Sequence, residues 1–263
     1  MSKLNAYSAF VFDMDGVLYR GKMPLPGVSE LFALLETRGI SYACATNNAT
    51  LTPTEFSQKL AAMDIAMAPE RIVTSPVATR SYLQHHAPAG TKVYCIGMNG
   101  LREALFGDGY FVEDDLSPDY VVVGMDFTVT YPQLRRACLH IRAGAQFIGT
   151  NPDTTFPAED GIVPGCGALL ALLRAGAEQE PYVIGKPGPA LFEAAIELLN
   201  ATPATTLTVG DRLDTDIAGA RAAGLASALI LTGVTTREAL AQSHVQPDMV
   251  FEDLPALIQR MTG

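Results

Sequence analysis

Six residues carry most of the chemistry this chain can offer, and they lie far apart in it. Asp13 and Asp15 flank Met14 after the run Phe10-Val11-Phe12 and are followed by Gly16. Thr46 opens Thr46-Asn47-Asn48 after a second apolar run. Lys186 stands in Gly185-Lys186-Pro187-Gly188, and Asp211 and Asp216 in the stretch that opens Gly210-Asp211-Arg212. Each group follows a segment that reads as a strand. Ligands of open parallel sheets gather beyond the carboxyl ends of the strands. A sheet that brings these four ends together therefore makes a pocket with at least three acids and one base. Carboxylates a few ångströms apart repel, and a divalent cation is their natural counter-charge. Oxygen donors with no histidine or cysteine nearby favour Mg²⁺ over zinc.

Such a pocket suits phosphoryl chemistry. The Asp13 carboxylate can attack phosphorus, giving an acyl phosphate that water then cleaves. Asp15 can protonate the leaving alcohol and later deprotonate the water. The transferring group spreads negative charge over three oxygens and needs positive charge and donors around it. Lys186, Mg²⁺, the Thr46 hydroxyl and backbone N–H groups near Gly16 and Asn47 would supply them. Gly16 allows a sharp turn and a close backbone approach to the phosphate.

The elements that must position these residues alternate along the chain. Strands are expected at 8–12, 41–45, 71–74, 92–96, 120–123, 146–149, 182–184, 206–209, 228–231 and 249–251. Several are continuous apolar runs, as in sheets covered on both faces. Helices are expected at 28–38, 54–63, 189–199 and 214–223, with Gly39 and Gly224 as stops after the first and last. This alternation predicts an α/β fold with a parallel sheet, and 182–184 is read as one of its core strands. The stretch 81–180 is too long for a loop and carries its own strands and helices. The chain therefore reads as a core built from 1–80 and 181–263, with a separate α/β module, 81–180, inserted between.

The four motifs in this order resemble the haloacid dehalogenase-like (HAD) phosphatase superfamily. Asp13-Met14-Asp15-Gly16-Val17, Thr46, Lys186 and the Gly210-Asp211 to Asp216 run match its four signatures. Thr46-Asn47-Asn48, Gly149-Thr150-Asn151-Pro152-Asp153 and the runs at 185–189 and 210–217 are similar to the NagD-like subfamily, which includes p-nitrophenylphosphatases and phosphoglycolate phosphatases. The likeness extends over about residues 10–250. It implies a Rossmann-like core with an inserted α/β cap, Asp13 as nucleophile and Asp15 as general acid and base. It also implies Mg²⁺ held by Asp13, Asp211 and the Asp15 carbonyl, with Asp216 supporting the metal from behind. The cap would close over the site and admit only small phosphate monoesters. A homodimer through cap surfaces is a further family expectation.

Other readings stay open at this point. A phosphomutase or phosphotransferase would pass the same intermediate to a sugar hydroxyl. A signalling receiver also uses an aspartate, a hydroxyl, a lysine and Mg²⁺, although Asp15 and the inserted module speak against it. Asn47 and Asn48 read either as turn residues or as contacts to phosphate or cap. Asn151 and Asp153 read either as turn residues or as groups over the core site that select the leaving group. Asp214 suits the first turn of a helix. His85, His86, His140 and His244 have no acid partner at ligand spacing. Gly97-Met98-Asn99-Gly100 lacks the third glycine of a dinucleotide fingerprint.

Composition sets the outer limits. A 263-residue chain with net charge −10 has no electrostatic reason to seek nucleic acid or an anionic membrane. No apolar stretch is long enough to span a bilayer. Cys44, Cys95, Cys138 and Cys166 are scattered, and a reduced, cytoplasmic state is expected for them.

Overall fold

The strand Ala9–Phe12 is buried at all four positions. An Ala-Phe-Val-Phe run has no polar face to show water, so it must be covered on both sides. In the computed structural model, which describes residues 3–158 and 161–263, it lies in the middle of a six-stranded sheet. The order across the sheet is Met249–Phe251, Ala226–Ile230, Thr206–Gly210, Ala9–Phe12, Ser41–Thr46 and Ile72–Thr74. Pairing is parallel from Met249–Phe251 through Ser41–Thr46. Phe12 stands opposite Val209 on one side and Cys44 on the other. The sequence order therefore reverses between Ala9–Phe12 and Thr206–Gly210, and at such a reversal neighbouring loops splay apart and leave a crevice. Asp13 and Asp211 follow these two strands.

The chain divides into two compact units. The first comprises Met1–Thr46, Thr54–Val73 and Lys186–Gly263 and holds the six-stranded sheet. The second comprises Asn47–Pro53 and Thr74–Gly185. The expected boundary at 80/81 is corrected by this division, because it would cut the helix Ser75–His86 in its middle. That helix starts where Thr74 accepts the Val77 N–H and Pro76 occupies its first turn, which is a normal helix opening.

The second unit is built on a five-stranded sheet in the order Tyr182–Val183, Gln146–Gly149, Tyr120–Val123, Lys92–Ile96 and Val112–Glu113, parallel throughout. The helices Tyr131–Arg142 and Cys166–Ala177 pack on it through Leu134, Ala137, Ile141, Leu170 and Leu173. A short antiparallel hairpin, Thr155–Ala158 with Gly161–Pro164, belongs to the same unit.

One expectation is overturned here. The segment 182–184 is not a core strand. Tyr182 and Val183 pair with Ile148 and Gly149 at the edge of the second sheet. Ile184 and Gly185 extend that ladder through N–H bonds to the Gly149 and Thr150 carbonyls, both 2.9 Å. A three-residue apolar run says that it will pair, but carries no information about which sheet it will join. The expected helix 214–223 also begins differently. Residues Leu213–Ile217 form a π-helical turn before the α-helix Ala218–Ala222. The Arg212 carbonyl accepts from both Asp216 (3.0 Å) and Ile217 (3.1 Å). This widened turn lets the Asp216 carboxylate fold back over the preceding strand end.

Candidate active site

Asp13 is fixed by the sheet itself, since its N–H donates to the Val209 carbonyl at 2.8 Å. Its carboxylate accepts from the Lys186 ammonium. Lys186 is only 3 % exposed, and a buried ammonium must have its donors met. It gives them to Asp13, to Asp216 Oδ1 at 2.7 Å and to the Ala45 carbonyl at 3.1 Å. The other oxygen of Asp216, Oδ2, accepts the N–H groups of Asp211 (3.1 Å) and Arg212 (3.0 Å). The π turn is what makes this return contact possible. Gly210 is required beneath it, because a Cβ there would fall on the Asp216 side chain.

Asp211 completes the cluster. Its Oδ2 accepts the Val234 N–H at 2.6 Å. One carboxylate oxygen from each of Asp13, Asp211 and Asp216 lies within 4.8 Å of the others. Gly16 lies against this group with φ +82°, and a Cβ on it would stand 2.6 Å from Asp211 Oδ2. Any larger residue would both strain the turn and push the carboxylate away. The turn is closed by Leu18 N–H to Met14 O at 2.8 Å and Gly16 N–H to Tyr19 O at 2.8 Å. Asp15 reaches solvent from it. Thr46 ends the strand Ser41–Thr46, half-buried and next to the Ala45 carbonyl that Lys186 holds.

The electrostatics show what the cluster lacks. Burial pushes the Asp13 carboxyl up to about 8, against the pull of Lys186 and with further push from Asp216 and Asp211. Burial and Asp216 push Asp211 up to about 7. Burial alone would lower the Lys186 ammonium, but Asp13 and Asp216 hold it above its ordinary value. One cation is thus too few for three buried carboxyls. Hard oxygen donors this close together suit a divalent ion such as Mg²⁺. Asp15 is also raised, by partial burial, with Lys59 pulling the other way.

Lys59 belongs to the surroundings that sequence reasoning missed. Its ammonium donates to the Tyr19 hydroxyl at 3.2 Å and lies 4.5 Å from the centre of that ring. The loop after Ala226–Ile230 was missed too, although its Val234 N–H binds Asp211. A usable signal for the loop existed, since Thr232-Gly233 follows that strand closely, the same kind of polar and glycine run that drew attention to the other strand ends.

The remaining expected residues form a separate set in the second unit. Asn47 donates its amide to the Asp153 carboxylate, at 3.3 Å to Oδ2 and 3.4 Å to Oδ1. Asn48 Oδ1 accepts the Thr50 N–H (2.9 Å) and hydroxyl (2.7 Å), which is turn chemistry. Asn151 is 4 % exposed. Its amide donates to Asn47 O (3.0 Å) and Thr150 Oγ1 (3.2 Å), while its oxygen accepts the Asp153 N–H (3.2 Å). Of the two readings open for Asn151, these contacts are those of a turn residue, shaping the 47–53 and 150–153 loops. Asp214, expected to favour a helix start, lies in the first turn of Leu213–Ile217 and also pairs with the Arg212 guanidinium.

A parallel sheet reversing beside a strand-end aspartate, with a buried lysine and two further acids, defines a class of hydrolase, and this chain belongs to the haloacid dehalogenase-like hydrolases. The family profile "Haloacid dehalogenase-like hydrolase" matches residues 10–110, and an HAD-hydrolase-like profile matches 183–257. Within that family the chain is a NagD-like phosphatase. It is 39 % identical to an acid sugar phosphatase of Staphylococcus haemolyticus over 97 % of both chains. The 4-nitrophenylphosphatase of Thermotoga maritima superposes with a TM-score of 0.90 at 33 % identity, over 97 % of this chain and 98 % of that one. NagD from E. coli K-12 superposes with a TM-score of 0.88 at 29 % identity, over 94 % and 97 %.

Proposed function

We propose that this chain hydrolyses small-molecule phosphate monoesters with Mg²⁺ through a phosphoaspartyl intermediate on Asp13. The observation that carries the reading is the convergence of Asp13, Asp211 and Asp216 around Lys186, with one oxygen of each acid within 4.8 Å of the others. Asp13, Asp211 and the Asp15 carbonyl would hold Mg²⁺, which supplies positive charge against the phosphoryl oxygens and keeps Asp13 ionised.

The residues of the chain then divide the work. The Asp13 carboxylate attacks phosphorus, and the bond from phosphorus to the ester oxygen breaks. Asp15 gives its proton to the departing alkoxide; its raised affinity for that proton suits the task. Asp15 next takes a proton from water as the water attacks phosphorus, and the bond to Asp13 breaks to release phosphate. Lys186, fixed by Asp216 and Ala45, orients Asp13 and offers charge to the transferring group. Thr46 is assigned as a hydroxyl donor to the phosphoryl oxygens.

The substrate class draws support from the relatives named for sugar phosphates and nitrophenyl phosphate. A reducing, cytoplasmic setting draws support from the four free thiols. Among the described residues no helix is long and apolar enough to cross a membrane. The test is a panel of sugar phosphates, nucleotides, phosphoglycolate and nitrophenyl phosphate, each with Mg²⁺ and with EDTA. Stoichiometric phosphate release only with Mg²⁺ is expected. Isomerised sugar phosphates without phosphate release would point to a mutase instead.

A further inference from the structure

The Asp211 carboxylate is held in one orientation by a loop that contributes no acid of its own. The loop runs from Thr232 to Thr235, beyond the strand Ala226–Ile230. The Val234 N–H fixes Asp211 Oδ2 at 2.6 Å, and the Thr235 N–H donates to the Asp211 carbonyl at 3.2 Å. Gly233 lies so near that a Cβ on it would fall on the Asp211 carboxyl, while Gly16 closes the other side with its Cα–H₂. The carboxylate is thus slotted between two glycines with one oxygen tied.

Burial holds the loop only at its far end, Thr235, while Thr232 and Gly233 are half-exposed and Val234 is exposed. Two side-chain bonds tie it down instead. The Thr232 hydroxyl donates to the Gly16 carbonyl at 2.6 Å. The Arg20 guanidinium donates to the Thr232 carbonyl. Both partners come from the segment that carries Asp13 and Asp15.

We infer that Thr232 is a positioning residue for the metal site: its hydroxyl latches the 232–235 loop to the turn at Gly16, and the latched loop aims Asp211 at the cation. The inference rests on the metal reading given above. It adds that the two halves of the ligand set, one from each central strand, are kept in register by a threonine that touches neither substrate nor metal. Hydrogen-bond partners of metal ligands typically change affinity 10- to 100-fold when removed. Thr232 stands one bond further out, so a loss of about tenfold is expected for Thr232→Val.

The test is a calorimetric titration of the whole chain with Mg²⁺ and no substrate present, at constant pH. Thr232→Val should weaken Mg²⁺ binding about tenfold, and Thr232→Ser, which keeps the hydroxyl, should stay within about twofold of the parent. A role confined to fold stability would lower the melting temperature of Thr232→Val and leave its Mg²⁺ Kd where it was; that result overturns the inference. If Thr232→Val does not give a native circular-dichroism spectrum, Arg20→Met reports on the same latch from its exposed side. Weakened binding there supports the inference and unchanged binding overturns it. A parent chain that takes up no Mg²⁺ removes the metal reading itself, and the latch with it.

Discussion

Asp13→Asn should move activity and stability in opposite directions. In the metal-free chain burial pushes Asp13 up to about 8 and Asp211 up to about 7, from an ordinary 3.8. The folded chain therefore binds more protons than the unfolded chain between about pH 4 and pH 8, and its stability falls as the pH rises through that window. Each tenfold in proton affinity is worth about 1.4 kcal/mol, so the penalty for ionising Asp13 in place is bounded at about 6 kcal/mol. Its side chain is 15 % exposed, so solvent screens part of that penalty, and replacing the carboxylate also costs the buried Lys186 ammonium one charged partner; the recoverable part is about 2–4 kcal/mol. Asparagine keeps the shape, accepts the Lys186 donor and never ionises. Urea unfolding in EDTA at pH 8 should show Asp13→Asn more stable than the parent by that amount, with a shallower decline between pH 5 and pH 8. Added Mg²⁺ should narrow the gap, because it stabilises the parent by binding and the variant less. Turnover of nitrophenyl phosphate should fall by about 10³ or more, as expected on loss of a nucleophile. A variant less stable than the parent in EDTA at pH 8 would refute the electrostatic account. A variant retaining a tenth of parental turnover would refute Asp13 as nucleophile.

Three further outcomes are expected. Lys186→Met leaves the Asp13 and Asp216 carboxyls without their cation, and chemical denaturation should show a loss of about 3–5 kcal/mol together with a fall in kcat of about 10² to 10³. Gly16→Ala places a Cβ 2.6 Å from Asp211 Oδ2 at a φ of +82°, so a stability loss of about 2 kcal/mol or more and a weaker Mg²⁺ Kd should appear together in melting and calorimetric measurements. Mg²⁺ should raise the melting temperature more at pH 8 than at pH 5.5, since protons compete for Asp13 and Asp211 at the lower pH; equal rises would argue that these acids are not its ligands.

The sequence was most informative where apolar runs meet isolated acids. Phe10-Val11-Phe12-Asp13 and the strand before Gly210-Asp211 announce buried strands with functional ends, and the structure sets Asp13 and Asp211 beside each other at the reversal of the sheet. Lys186 was legible as a residue but not as an architecture. The strand before it joins the second sheet, a choice decided by distant neighbours such as Ile148 and not by three local residues. Asn151 stayed open between two readings for a related reason, since the three partners of its amide lie in the fold and not in its local sequence. Thr232-Gly233 signalled the loop after Ala226–Ile230 but not the Val234 contact within it, because a backbone N–H leaves no trace in residue type.

The junction at 185/186 has a consequence for building chimaeras from this protein. The last rung of the second sheet, Gly185 N–H to Thr150 O, is immediately followed by the lysine that Asp13 and Asp216 require. One residue gained or lost between Tyr182 and Lys186 would break the register between that rung and the ammonium. A transplanted second module must therefore arrive with its final strand in frame, and length variation among natural homologues should avoid that junction.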